Sequence, residues 1–147
     1  RVLEMTGKYF DGKVTAPSKE YELLEQKVSE VWDGYEAAMA EFDLKKALEH
    51  VVDLGMYANK YVEETQPWVL AKEDQDTLAE VMYNLVEMVR HLAYLLMPFI
   101  PSTTTKMLKA LGLDAAEVDF SSLKKWGGVQ EGQPVEKPEP LFARREE

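Results

Sequence analysis

Trp68 is the side chain in this sequence best suited to molecular recognition. It closes a long amphipathic stretch and stands directly after Pro67, within Asn59-Lys60-Tyr61-Val62-Glu63-Glu64-Thr65-Gln66-Pro67-Trp68-Val69-Leu70-Ala71-Lys72. A proline lacks a backbone donor and drives the residue before it out of the α region. The helix is therefore expected to stop before Pro67 and to leave the indole just past the corner, on backbone that is no longer helical. An indole placed in this way either packs in the core or offers a flat platform for a nucleobase. Tryptophan is highly buried on average, so packing is the default; the position after a helix stop favours a partly exposed ring.

Other residues offer less. The chain has no cysteine and two histidines, His50 and His91. Disulfides and thiolate metal sites are thus excluded. The histidines fall on different predicted helices, without a His-x-x-x-His or Glu-x-x-His partner, and read as surface or helix-packing imidazoles. Glu63 and Glu64 are adjacent on a helix and diverge by about 100°, which suits a solvated face better than an acid/base pair. No Gly-rich phosphate loop is present. The sequence predicts no catalytic site and no metal site in this chain.

Composition sets the frame. The 147 residues, 46% hydrophobic and 30% charged, fit a single soluble globular domain over 1–147. The longest apolar run, Leu92 to Ile100, is too short to span a bilayer and contains Pro98. The N-terminus does not resemble a signal peptide and lacks an initiator Met, so the chain is expected to be an excised piece of a longer cytoplasmic protein. A net charge of −10 argues against binding nucleic acid through many phosphates. It leaves open a reader that stacks on a few unstacked bases.

Helical periodicity dominates the elements that must position Trp68, and the predicted class is all-α. A first helix ends in Arg1–Tyr9, as though its start were cut away, and Phe10-Asp11-Gly12 turns into an extended Val14–Pro17. Leu24, Val28, Val31, Trp32, Tyr35 and Met39 form an apolar stripe over about Ser18–Ala40, with Ser18 as N-cap and Gly34 marking a close helix contact. Asp43 caps a second stripe from Leu44 to Val62. Asp74 or Asp76 starts a third, from Leu78 to Leu96, apolar over so much of its circumference that it is expected to be central. Pro98 and Pro101 break it. Ser102 would cap a short helix, Thr103–Leu111, stopped by Gly112. Beyond Gly112, glycines and prolines forbid a long helix: Asp119–Trp126 is read as a short turn or helix, and the remainder as a tail over the bundle anchored by Phe120, Leu123, Trp126, Leu141 and Phe142. The simplest architecture is a bundle of four to five helices with an extended C-terminal tail over 113–147.

At this point the local words become recognisable. Asn59-x-Tyr61-x-x-Glu64-x-x-Pro67-Trp68-x-x-Ala71-Lys72 resembles the segment closing one helix of the anticodon-binding domain of methionyl-tRNA synthetase. Arg1-Val2-Leu3-Glu4-Met5-x-x-Lys8-Tyr9-Phe10-Asp11-Gly12 is similar to the end of that family's first anticodon-domain helix. Leu95-Leu96-Met97-Pro98-Phe99-Ile100-Pro101 resembles the Pro-kinked helix of class I synthetases. Pro138-x-Pro140-Leu141-Phe142-x-Arg144 resembles the closing segment, from which Ala143 departs, since the family normally has proline there. The resemblance runs nearly the whole chain in order.

It implies a helical bundle that reads the CAU anticodon of methionine tRNA. Trp68 would stack on the first anticodon base, Pro67 would fix the tryptophan, and Arg1 would contact the anticodon. The asparagine that partners this arginine in the family lies four residues before Arg1, outside this sequence. The parent would activate methionine with ATP and Mg²⁺ and transfer it to tRNA, with a zinc knuckle in the part not present here. The class I His-x-Gly-His and Lys-Met-Ser-Lys-Ser words are absent from the chain. The implied partners are tRNA and the parent's catalytic domain. Two alternatives remain at this stage: a scaffold bundle, in which Trp68 is buried, and the equivalent bundle of a leucine, valine, isoleucine or cysteine enzyme. Asn59 is expected to make a structural hydrogen bond, Lys8, Lys13 and Lys72 to be solvated or to face phosphate, with Lys72 at the start of the third helix, and Trp32 and Trp126 to be anchors.

Overall fold

The computed structural model describes residues 1–115 and 120–142. It is helical: α1 (Val2–Phe10), α2 (Glu22–Ala40), α3 (Leu44–Thr65), α4 (Pro67–Glu73), α5 (Gln75–Leu96), α6 (Pro101–Ala110) and the single turn α7 (Phe120–Leu123). The predicted class holds. The helix that the sequence reading lacks is α4.

The central position of α5 follows from its composition. It buries residues around its whole circumference, Leu78, Met82, Leu85, Met88 and Leu95 among them, and α1, α2, α3, α4 and α6 all pack on it. Its start is fixed by Asp74, whose carboxylate accepts from Thr77 N at 3.0 Å. Asp43 caps α3 in the same way through Lys46 N at 3.0 Å. Each cap satisfies a backbone donor that the first turn leaves without an intrahelical acceptor. Gly112 ends α6 with φ +71°; Leu113 N donates to Leu108 O and Gly112 N to Lys109 O, both at 2.9 Å, the pairing that lets a left-handed glycine close a helix.

Two predicted caps are corrected. Ser18 does not cap α2, which begins at Glu22 without a side-chain cap. Its hydroxyl instead accepts from Glu20 N and reaches Glu80 of α5, and the serine is buried. Tertiary burial has taken the side chain that local sequence assigned to the helix end. Ser102 lies inside α6, because Pro101 occupies the first helical position. There its missing N–H is no loss and its fixed φ suits the helix.

Gly34 is a contact point, as expected. A Cβ at this position would overlap the imidazole of His50, so α2 and α3 approach closely here. The tail returns to the start of the chain: Val14 N donates to Gln133 O at 2.9 Å and Val135 N to Gly12 O at 2.7 Å, with one isolated antiparallel bridge between Lys13 and Pro134. Val129 and Val135 are buried in this tail, but Phe142 is 73% exposed and is not the anchor its hydrophobicity suggested. Part of the Asp119–Trp126 prediction, the side chain of Phe120, Ala143 and Arg144 lie outside the described residues. Among the described residues, no helix is long and apolar enough to cross a membrane.

Candidate nucleic-acid interface

Gln66 is the pivot of the site. It adopts left-handed dihedrals, φ 45° and ψ 65°, and serves both as the C-cap of α3 and as the N-cap of α4. Its N–H donates to Val62 O at 3.0 Å, and its carbonyl accepts from Val69 N at 2.8 Å. Pro67 then takes the first position of α4 and is buried. Trp68 therefore lies in the first turn of a new helix, which corrects the expectation of a non-helical segment past the corner. Proline is both a stop for the helix behind it and a good start for the helix ahead; only the first property was read from the sequence.

The indole is half-buried. It packs against the core formed by Met5, Val62, Leu78 and Met82. The guanidinium carbon of Arg1 lies 5.5 Å from the ring centroid, in cation–π range. Arg1 also faces Glu63, Nη1 to Oε1 3.7 Å, with side chains 63% and 66% exposed. The three residues singled out for recognition thus meet at one end of the bundle: Pro67 inside, Trp68 at the surface, Arg1 across it. Asn59 is exposed and makes no side-chain hydrogen bond among the described residues, against expectation. It stands one turn before Glu63 on the same face of α3. Lys72 belongs to the last turn of α4 rather than to the start of α5, and is exposed, as are Lys8 and Lys13.

The other aromatic candidates are structural. Trp32 is 1% exposed and donates Nε1–H to His91 Nδ1 at 3.0 Å. Trp126 stacks on His91 at 6.0 Å and on Tyr21 at 6.3 Å. Burial first, and then the neighbouring Arg90 charge, lower the His91 pKa to about 2. A neutral imidazole has one acceptor nitrogen. Both ring nitrogens of His91 face donors, Trp32 Nε1–H at Nδ1 and Arg90 Nη2 at Nε2, each at 3.0 Å, with Glu87 Oε2 3.8 Å from Nε2.

Glu87 and Arg90, absent from the sequence reading, form a dry ion pair in the heart of α5, Nη2 to Oε2 2.9 Å with side chains 0% and 3% exposed. Glu87 also accepts from Gly127 N and Val129 N, while Arg90 donates to the carbonyls of Leu123 and Lys125. A buried pair is tolerable when its remaining donors and acceptors are met in this way. Gly128 makes it possible, because a Cβ there would overlap the Arg90 guanidinium. Two opposite charges three residues apart in the mostly apolar second half of α5, together with the Gly127-Gly128 doublet, were the available signals.

The described residues form an all-α bundle that carries a partly buried tryptophan with an arginine over its ring. Comparison with known proteins makes this particular. The family described as the anticodon binding domain of methionyl tRNA ligase matches residues 12–147, and the chain belongs to that family. It is 36% identical to the methionine–tRNA ligase of Halalkalibacterium halodurans, covering 98% of this chain and 23% of that protein. It is 38% identical to that of Clostridium acetobutylicum, with 98% and 23% covered. Mycobacterium tuberculosis methionyl-tRNA synthetase bound to methionyl-adenylate superposes with a TM-score of 0.82 at 30% identity, over 98% of this chain and 29% of that one. Its apo form gives a TM-score of 0.88 at 26% identity, over 100% and 31%. The chain spans under a third of the length of these relatives.

Proposed function

We propose that this domain reads the CAU anticodon of methionine tRNA on behalf of a cytoplasmic methionine–tRNA ligase. In that parent, a catalytic domain outside this chain activates methionine with ATP and Mg²⁺ and aminoacylates the tRNA. Trp68 is the stacking platform, Pro67 holds it at the surface, and Arg1 supplies polar contact to the base. The observation that carries this reading is the partly buried indole with the Arg1 guanidinium across it.

Magnitudes favour the exchange. An incoming base must displace a cation–π contact of roughly 0.5–1 kcal/mol at an exposed site and loosen a surface ion pair of about 0–1 kcal/mol. Stacking returns about 1–3 kcal/mol, and the freed guanidinium gains a base edge or phosphate to donate to. Stacking accepts any base, so identity must come from polar groups that would be left unpaired by the wrong one. The acidity of the remaining surface discourages non-specific RNA binding. The test is a titration of the domain with CAU and non-CAU anticodon stem-loops. Tighter binding of CAU supports the assignment; equal affinity for both rejects it.

A further inference from the structure

The net charge hides an asymmetry between two grooves that share no lining residue. One, of about 650 Å³, lies between the start of α2, the end of α3 and the start of α5. Glu20, Glu22, Glu64 and Glu80 line it, and Lys19 is its one basic residue. The other, of about 300 Å³, lies between α6 and the tail. Lys106, Lys109 and Lys137 line it, together with Glu136 and Glu139.

The fold gathers these three lysines, all of them exposed. Lys106 and Lys109 stand three residues apart on α6 and are therefore neighbours on one helix face. The tail is pinned beside them: Glu136 N donates to Ala110 O at 2.8 Å, and Val135 is buried. Pro138 restricts Lys137 to extended backbone. Among the described residues, neither Lys106 nor Lys109 forms an ion pair.

This groove is continuous with the Trp68 end of the bundle. Lys137 Nζ donates to Glu4 Oε1 at 2.8 Å. Glu4 lies three residues past Arg1, a rise of about 4.5 Å along α1. Lys137 thus reaches the first turn of the helix whose N-cap, Arg1, covers the Trp68 ring. Lys137 first, and then Lys8 one turn further on, hold the Glu4 carboxyl pKa below its ordinary value. Cationic side chains follow one another from Arg1 to Lys137, and across the tail to Lys109 and Lys106.

We propose that the stem of the bound tRNA leaves the Trp68 end along this face, its backbone phosphates meeting Lys137, Lys109 and Lys106. The path rests on the reading of Trp68 as the anticodon platform and adds the direction in which the RNA lies. A paired stem presents phosphates and hydroxyls rather than readable base edges, and a lysine ammonium takes a phosphate as a point charge. The carboxylate-lined groove repels the same backbone and stays uncovered. Three contacts are few, in keeping with a domain of net charge −10, and they position the RNA without reading its sequence.

The test uses the chain as it stands. It is titrated across a salt series with a CAU stem-loop carrying the full anticodon stem, and with the same loop as an unpaired oligonucleotide. Wild type is compared with Lys137→Gln, with the double variant Lys106→Gln/Lys109→Gln, and with Lys19→Gln, which removes a charge of the same sign from the acidic groove. Stem-loop affinity is expected to fall about three-fold or more per lysine removed, and the slope of log K against log salt to flatten by about one for each. The loss is the same factor for CAU and non-CAU stem-loops, and is absent for the unpaired loop and in Lys19→Gln. Amide NMR shifts produced by the stem centre on 106–109 and 137. The double variant breaks no ion pair among the described residues and decides the matter should Lys137→Gln unfold. Wild-type salt slopes in the lysine variants, an equal loss in Lys19→Gln, an equal loss with the unpaired loop, or shifts centred on the acidic groove would each overturn the path. Failure of the Trp68 reading shows separately, as equal wild-type affinity for CAU and non-CAU stem-loops.

Discussion

The guanidinium of Arg1 lies 5.5 Å from the centre of the Trp68 ring and is held there by little besides a 3.7 Å contact with Glu63. The proposed recognition surface is therefore covered by a weak plug. Glu63 restrains the arginine and repels phosphate at the same time. Glu63→Gln is predicted to strengthen RNA binding a few-fold for cognate and non-cognate loops alike, since it removes a like charge without adding a base contact. Arg1→Gln is predicted to weaken CAU binding and to flatten its salt dependence by about one counterion. Affinity measured across a salt series checks both; an Arg1→Gln protein with the wild-type slope would remove arginine from the account.

The centre of the bundle rests on Glu87, Arg90 and Gly128. Glu87→Gln leaves Arg90 buried without its countercharge, a change that costs about 3–5 kcal/mol. Gly128→Ala forces a methyl group into the guanidinium and is predicted to cost about 1–3 kcal/mol, as other overpacking does. Urea denaturation gives both values. If Gly128→Ala left the midpoint unchanged, the close approach of tail and α5 would be wrong.

His91 makes stability depend on pH. Its folded pKa of about 2 lies below the ordinary value of 6.5, so the unfolded chain binds a proton that the native protein refuses. The stabilising contribution is complete above pH 6.5 and is lost progressively as pH falls toward about 2. Proton uptake on unfolding near pH 5 is predicted to fall by about one in His91→Gln, which keeps an acceptor for the Trp32 indole. Calorimetric unfolding in two buffers of different ionisation enthalpy measures that proton.

Much of this was legible in the residues. Asp43 and Asp74 sit before apolar stripes and cap them, and α5 is apolar nearly all round and is central. The meeting of Arg1 with Trp68, across most of the first half of the chain, was implied by resemblance rather than by any local pattern. What escaped was decided by tertiary context or by a residue with two local meanings. Pro67 both ends α3 and starts α4. Ser18 turned to α5 instead of to its own helix. Glu87 and Arg90 look like surface charges until each has the other, and the backbone of 123–129, as a partner. Phe142 shows the converse, a large apolar side chain left in solvent.

The most direct measurement of the central claim is CAU stem-loop affinity in Trp68→Ala and Trp68→Phe, with far-UV circular dichroism confirming that both fold. Stacking on the indole predicts a loss of about 1–3 kcal/mol for Trp68→Ala, roughly five- to more than a hundred-fold in Kd. Trp68→Phe, which keeps a π-face, should recover a substantial part of it. A folded Trp68→Ala protein that bound the CAU loop with wild-type affinity would show that Trp68 is packing alone.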